Sequence, residues 1–312
     1  MDNFNNGMQK FHLRQLSAFS LLLLLCWLVS SCRHGDTEEF FYGDTIRVEC
    51  PTGQTLKFVV TNANTNTVEL YGFGDKYFLG NGPLAIPDVI RYHDQNFSVT
   101  AIHKKSFKGC TGITQVSISD GISKIGKSTF SYCTGIRQVR LPSSLVCVPN
   151  GMFSRCTSLV AVTIPEGVTV IGDAAFRKCR SLERVNFPKT LKEVQYEAFL
   201  GCTSLREVDL PDGCETIFQR SFGNCHSLAS VRFPASLRFI GDYAFMECRS
   251  LERVYLPDGV DSIGTAAFSG CSALRSVRFP QSLKQVGSWC FWGCDQLPET
   301  DIPTCGTGKN RW

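Results

Sequence analysis

A net excess of charge of either sign is nearly absent from this chain. Its 32 Lys and Arg against 28 Asp and Glu leave a formal charge of +4 over 312 residues. That is too weak for a nucleic-acid footprint and gives no reason to expect an acidic partner. Histidine is scarce as well. Beyond the first thirty residues only His34, His93, His103 and His226 occur, scattered over separate segments. No Gly-x-Ser-x-Gly, His-Glu-x-x-His or phosphate-binding glycine-rich loop is present. Cys-x-x-Cys and paired His motifs are missing too, which removes the usual zinc frameworks, and Cys290 with Cys294 is only a weak hint. Carboxylates such as Asp212 and Asp258 precede Gly in a turn, and turn formation explains them. The expectation is no catalytic site, no cofactor and no metal.

Long apolar runs are also missing, with one exception. Lys10 and Arg14 precede an apolar stretch from Leu16 to Val29 that contains five consecutive leucines, Leu21 to Leu25. It is too short for a comfortable membrane span and reads as a signal peptide. It ends in Val29-Ser30-Ser31-Cys32, which looks like a bacterial lipobox: small residues, then the cysteine that is lipidated and becomes the mature N-terminus. Residues 1–31 are therefore expected to be a lipoprotein signal peptide and Cys32 the lipidation site, with an ordinary signal peptide or uncleaved anchor as the alternative. A multiply acylated cysteine holds a protein stably on a bilayer. Residues 32–44 read as a tether. Asp36, Glu38 and Glu39 within it resemble a signal for display on the outer face, and fit a solvated linker equally well.

What the chain has in abundance is period. Phe-x-x-Cys occurs at Phe107/Cys110, Phe130/Cys133, Phe153/Cys156, Phe176/Cys179, Phe199/Cys202, Phe222/Cys225, Phe245/Cys248, Phe268/Cys271 and Phe291/Cys294. These nine copies are each displaced by 23 residues, with no insertion or deletion. The whole unit reads L-x-x-V-x-L-P-x-x-[LV]-x-x-[IV]-G-x-x-A-F-x-x-C. The V-x-L alternation predicts a short strand buried on one side, which Pro ends because it cannot donate to a sheet ladder. The [LV]-x-x-[IV] pair supplies a second extended wall, and Ala-Phe-x-x-Cys fits a short helical turn with Phe and Cys pointing inward. One such unit cannot bury these side chains alone, but stacked units can. Strands about 4.8 Å apart would give a stack roughly 40 Å long.

A longer period overlies this one. The residue before the strand Pro alternates Ile164, Phe187, Leu210, Phe233, Leu256, Phe279, Ile302, and the residues after it alternate in step: Glu166-Gly167, Lys189-Thr190, Asp212-Gly213, Ala235-Ser236. A 46-residue double unit with two alternating coil shapes is expected.

The pattern from about Leu84 to Pro303 resembles the BspA-like leucine-rich repeats of surface proteins from oral and gut anaerobes. The resemblance implies a leucine-rich-repeat solenoid, a β-dominated α/β fold occupying residues 84–303. It also implies adhesion, to host extracellular proteins or to other bacteria. Leu84-Ala85-Ile86-Pro87 opens a degenerate first unit, interrupted by a small hairpin through Tyr92 and Asn96, and Ala101-Ile102-His103 departs from the usual Ile-Gly. Before it, Leu56–Val60 and Thr67–Tyr71 alternate around the turn chemistry of Asn62 to Asn66. That predicts a hairpin within an N-terminal β cap over 45–83. Residues 304–312 are left as a tail.

Sixteen cysteines in an exported chain suggest disulfides, but nine share one repeat column, where a small apolar side chain suits a buried turn. Parallel Cβ vectors in such a column are poor bridge geometry. Free buried thiols are expected there, Cys214 is expected in the core, and Cys50, Cys147, Cys290 and Cys305 are the ones able to pair.

The rest is surface. Residues flanking the buried Val of each strand point outward, and of these Arg184, Asn186, Arg232, Arg253, Tyr255 and Arg278 form the candidate binding face. Arg and Tyr are favoured in binding hot spots. The expected partner is a macromolecule, in the first instance a protein; the expected location is the outer membrane or cell surface, reached through the lipid anchor. Two alternatives stand beside it: a glycan-binding, uptake-associated lipoprotein, for which Tyr255, Trp289 and Trp292 are the relevant aromatics, and an envelope scaffold.

Overall fold

The computed structural model describes residues 39–75 and 77–298. The expected signal peptide, the lipidation site Cys32, the tail 304–312 and Cys305 lie outside the described residues. From Phe40 onward the chain is one compact unit.

Its N-terminal part is a curled sheet. Strands Thr45–Glu49 (β1), Thr55–Asn62 (β2) and Thr67–Phe73 (β3) pair antiparallel in sequence order. Alternation drives this: Ile46, Leu56, Phe58, Val60, Val68 and Leu70 are all buried, while their neighbours face outward. Gly82–Ile86 (β4) leaves for the next layer and pairs parallel with Ile113–Ile118 (β7). Val89–Tyr92 (β5) and Gln95–Ile102 (β6) form the interrupting hairpin. The β6 strand then pairs parallel with β3 on one side and, through Ala101 and Ile102, with Lys124–Ile125 on the other. The cap sheet and the first coils thus share one hydrogen-bonded wall.

Beyond that point the chain winds in 23-residue coils. The back wall is one continuous parallel ladder running from Cys147–Val148 through Val170–Ile171, Glu193–Val194, Thr216–Ile217, Phe239–Ile240 and Ser262–Ile263 to Gln285–Val286. The front wall is different. Ala161–Thr163 pairs with Arg184–Asn186, Glu207–Asp209 with Ser230–Arg232, and Arg253–Tyr255 with Ser276–Arg278, but these doublets do not pair with one another. The 46-residue period is therefore visible as hydrogen bonding. In the first coil of each doublet the N–H of Ile164, Leu210 or Leu256 donates to the carbonyl of Asn186, Arg232 or Arg278, at 3.0, 3.2 and 3.0 Å. In the second coil Phe187, Phe233 or Phe279 takes that place and turns its ring edge-on to Phe199, Phe245 or Phe291. The hydroxyls of Thr190, Ser236 and Ser282, in those same coils, donate back to the carbonyls of Val168, Cys214 and Val260 at 2.8–2.9 Å.

One expectation needs correcting. The Ala-Phe-x-x-Cys segment is not helical, and no helix occurs among the described residues. Each Cys N–H does donate to the Phe carbonyl three residues back, for example Cys179 to Phe176 at 3.1 Å. The residues two before and two after the Phe, however, are left-handed, as at Ala174 (φ 52°) and Lys178 (φ 59°). A right-handed helix cannot propagate through either, so the segment is a chain of separate turns.

The core is a column. From Phe107 to Phe291 the nine repeat phenylalanines are buried, and adjacent rings lie nearly parallel with centroids 5.2–5.7 Å apart. Offset stacking of this kind adds about 0.5–1.5 kcal/mol per pair to the burial itself.

Candidate functional site

The front wall presents two outward columns, one on each side of the buried Val. Arg184, Asn186, Arg232, Arg253, Tyr255 and Arg278 are all exposed on it. They are not equivalent. In the first doublet Asn186 Nδ2 donates to Thr163 Oγ1 at 3.1 Å. In the second, Arg232 forms an ion pair with Asp209. The hydrogen bond to Asp209, then its charge and that of Asp212, hold the Arg232 pKa above its usual value. In the third, Tyr255 and Arg278 stand opposite one another with Arg253 two residues before Tyr255, and none of the three has a side-chain hydrogen bond or ion pair among the described residues. Arg184 is unpaired in the same sense but sits alone in its doublet. The structure therefore groups Arg253, Tyr255 and Arg278 and takes Arg232 and Asn186 out of the unpaired set.

The Phe and Cys columns that carry this wall are sealed. Each ladder thiol from Cys133 to Cys294 donates to the carbonyl of the Phe 26 residues earlier, at 2.9–3.4 Å. Burial pushes the thiols of Cys133, Cys179 and Cys225 up to about 12, and those of Cys156, Cys202, Cys248 and Cys271 well above the ordinary value. Cys214 is buried in its column with its pKa raised, chiefly by burial, to about 12. Every cysteine among the described residues is a free thiol; Cys147 is exposed, while Cys50 and Cys290 are buried. The ladder thiols from Cys133 to Cys271 and the Cys214 thiol are therefore protonated packing groups at neutral pH, without nucleophilic character.

Two features were not anticipated. Glu197 is buried on the coil turns between Arg177, at 2.9 Å, and Arg220, at 3.9 Å, in the adjacent coils. Arg220 in turn lies 5.0 Å over the Tyr243 ring. Next to it Tyr243, Trp289 and Trp292 enclose a hollow of about 350 Å³ floored by Ala266 and Ser269. Tyr243, Ala266 and Trp289 are 23 apart and share one column, so the repeat register alone could have revealed this large–small–large arrangement. Among the described residues no group of His, Cys, Asp and Glu is placed to hold a metal ion, and no helix is long and apolar enough to cross a membrane.

Comparison with known proteins agrees with this architecture. A family profile described as the BspA type Leucine rich repeat region matches residues 92–206 and 194–307, with six copies. No curated protein matches the chain. Among solved structures, a leucine-rich repeat protein from Bacteroides ovatus is 22% identical, covering 83% of this chain and 93% of that one, with a TM-score of 0.48. A leucine rich cell surface protein from Faecalibacterium prausnitzii is 19% identical, with coverages of 82% and 94% and a TM-score of 0.39. The T. pallidum leucine-rich repeat protein is 22% identical, with coverages of 85% and 92% and a TM-score of 0.39.

Proposed function

Because the chain belongs to the BspA-type leucine-rich repeat family, we propose that it is a non-catalytic, lipid-anchored cell-surface protein that binds a macromolecule through its front wall. In this reading residues 1–31 are a lipoprotein signal peptide, Cys32 is the acylated residue and 32–44 is the tether that carries the array away from the membrane. The partner is a protein, host extracellular or bacterial, and adhesion is the outcome.

The observation that carries the proposal is the third doublet. Its Arg253, Tyr255 and Arg278 are exposed, unpaired and held on adjacent parallel strands in fixed register. Tyr loses little conformational entropy on binding, and Tyr and Arg are among the commonest hot-spot residues. In the two preceding doublets Asn186 is bonded to Thr163 and Arg232 is paired with Asp209, and Arg184 stands alone, so they offer less to a partner.

The experiment has two steps. Intact cells are treated with protease, and the purified protein is then tested for saturable binding to host matrix and bacterial surface proteins, with R253A/R278A beside it. Degradation on intact cells and a loss of binding of about tenfold or more in the variant are expected. Survival of the protein until the cells are broken would remove adhesion and leave an envelope scaffold. A second reading, glycan binding, is supported by the hollow between Tyr243, Trp289 and Trp292, where exposed aromatic rings can stack on sugars. Glycan binding abolished by W289A and untouched by R253A/R278A would favour it.

A further inference from the structure

A second concentration of cations lies on the N-terminal cap, with Lys108 among them 5.5 Å over the Tyr132 ring. A cleft of about 750 Å³ opens there, lined among others by Arg47, Lys57, Lys105, Lys108, Tyr71 and Tyr77. Its single carboxylate, Asp75, accepts a hydrogen bond from the Tyr77 N–H at 2.8 Å and so helps shape the loop that forms one wall.

The backbone brings these cations together deliberately. Arg47 and Lys57 are direct cross-strand partners in the β1–β2 pair, and Lys57 is in turn opposite Gly72 on β3. Like charges facing one another across a strand pair are destabilising. Neither Arg47 nor Lys57 has an ion pair or side-chain hydrogen bond among the described residues, so no direct partner there relieves the repulsion. Gly72 has φ +112°, and a Cβ there would lie 2.2 Å from the Ser106 carbonyl oxygen. The missing side chain lets the 103–106 turn sit on the end of this row, and Lys105 next to Ser106 comes with it. Lys105 is itself left-handed at φ 61° and has no acidic partner among the described residues. Tyr71, the bulged residue beside Gly72, is fixed by stacking on His103 with centroids 4.1 Å apart. Glu69, the nearest outward carboxylate on β3, is engaged with His103 Nδ1 at 3.1 Å and does not neutralise the row.

A concave site of this size suits a small ligand or a short stretch of a polymer. Cations spread along a row, not converging on one point, match anionic groups that recur along a chain. Tyrosine rings between them offer faces for sugar rings. We propose that this cleft binds an anionic saccharide, whose sulfate or carboxylate groups are taken by Arg47, Lys57, Lys105 and Lys108 and whose rings pack on Tyr71 and Tyr77. An acidic peptide would use the same charges but has no need of the aromatic walls.

The test is a calorimetric titration of the full chain with a heparin-derived tetrasaccharide, its desulfated counterpart and a hexaglutamate peptide. Saturable binding of the sulfated probe is expected, weaker at high salt, with little for the other two. K57Q/K105Q should weaken it by about tenfold or more, while R253Q/R278Q, which removes equal charge from the front wall, should leave it unchanged. K57Q alone relieves the pair with Arg47, so its thermal midpoint should be no lower than that of the parent, which separates lost binding from lost folding. Absence of binding, equal weakening by both double variants, or equal affinity for hexaglutamate would each overturn the assignment. These outcomes leave the front-wall proposal untouched, since the two surfaces are probed by different variants.

Discussion

The stacked thiols make the protein sensitive to alkali in a way that can be calculated. In the folded chain burial raises Cys133, Cys179, Cys214 and Cys225 to about 12. In the unfolded chain a thiol titrates near 8.5. Because the folded value is the higher, the contribution is fully present below the unfolded pKa and is lost as pH rises from about 8.5 toward about 12. At about pH 10 each such thiol destabilises the fold by roughly 2 kcal/mol, and the four together by roughly 8 kcal/mol. That rivals the entire stability of an ordinary domain, about 5–15 kcal/mol. Urea unfolding followed by circular dichroism, under reducing conditions between about pH 8 and about pH 10, should show a steep loss of stability. C179A/C225A starts from a lower baseline but should lose stability less steeply, by roughly 2 kcal/mol per pH unit averaged over that range. At neutral pH a thiol reagent should modify exposed Cys147 in the native protein and reach the ladder only on unfolding. A stability profile flat across this range, or an equally steep one in the double variant, would refute the reasoning.

Two further substitutions probe the packing. Phe199 is fully buried, stacked between Phe176 and Phe222 and met edge-on by Phe187, so Phe199→Ala should cost about 3–5 kcal/mol and Phe199→Leu clearly less, as read by denaturant midpoints. Ser236 accepts from the Gly213 N–H and donates to the Cys214 carbonyl, both at 2.8 Å, so Ser236→Ala should cost about 1–2 kcal/mol, whereas Ala at the exposed Ser143 should cost almost nothing by the same assay.

Period made most of the fold legible. A column of Phe every 23 residues can be buried in only one way, by stacking, and the alternation of Ile or Leu with Phe before the strand Pro marks the doublets that the front-wall hydrogen bonds reveal. The structure departs from the expected helical turn because Phe and Cys three apart suit either a helix or a single hydrogen-bonded turn. The left-handed positions that decide between them are signalled only in part: the residue two after the Phe is Gly at 109, 201, 270 and 293 and Asn at 224, while Lys178 in the same role, or Glu197 two before the Phe, gives no such sign. The pairing of Arg232 with Asp209 was within reach, since residues 23 apart in one column are neighbours. The cap was not. The opposition of Arg47 to Lys57 depends on the register set by the turn at Cys50–Gln54, where the Cys50 N–H donates to the Gln54 carbonyl at 2.8 Å, and no repeat supplies that register.

The choice of cysteine for the inner column follows from what that position must do. It needs a side chain small enough to stack at the coil spacing, apolar enough to be buried, and able to donate one hydrogen bond to the Phe carbonyl of the preceding coil. Alanine meets the first two conditions and leaves that carbonyl without the bond. Serine meets the first and third but carries a hydroxyl into an apolar column, where any unsatisfied lone pair is penalised. The thiol meets all three, and because each thiol donates to the coil before it, the column repeats without needing an even number of members, as a set of disulfides would. The core can then be copied coil by coil while the outer residues differ from doublet to doublet. In the proposed function recognition on the solenoid is thus separated from its stability, and R253A/R278A is expected to weaken binding about tenfold or more without moving the denaturation midpoint.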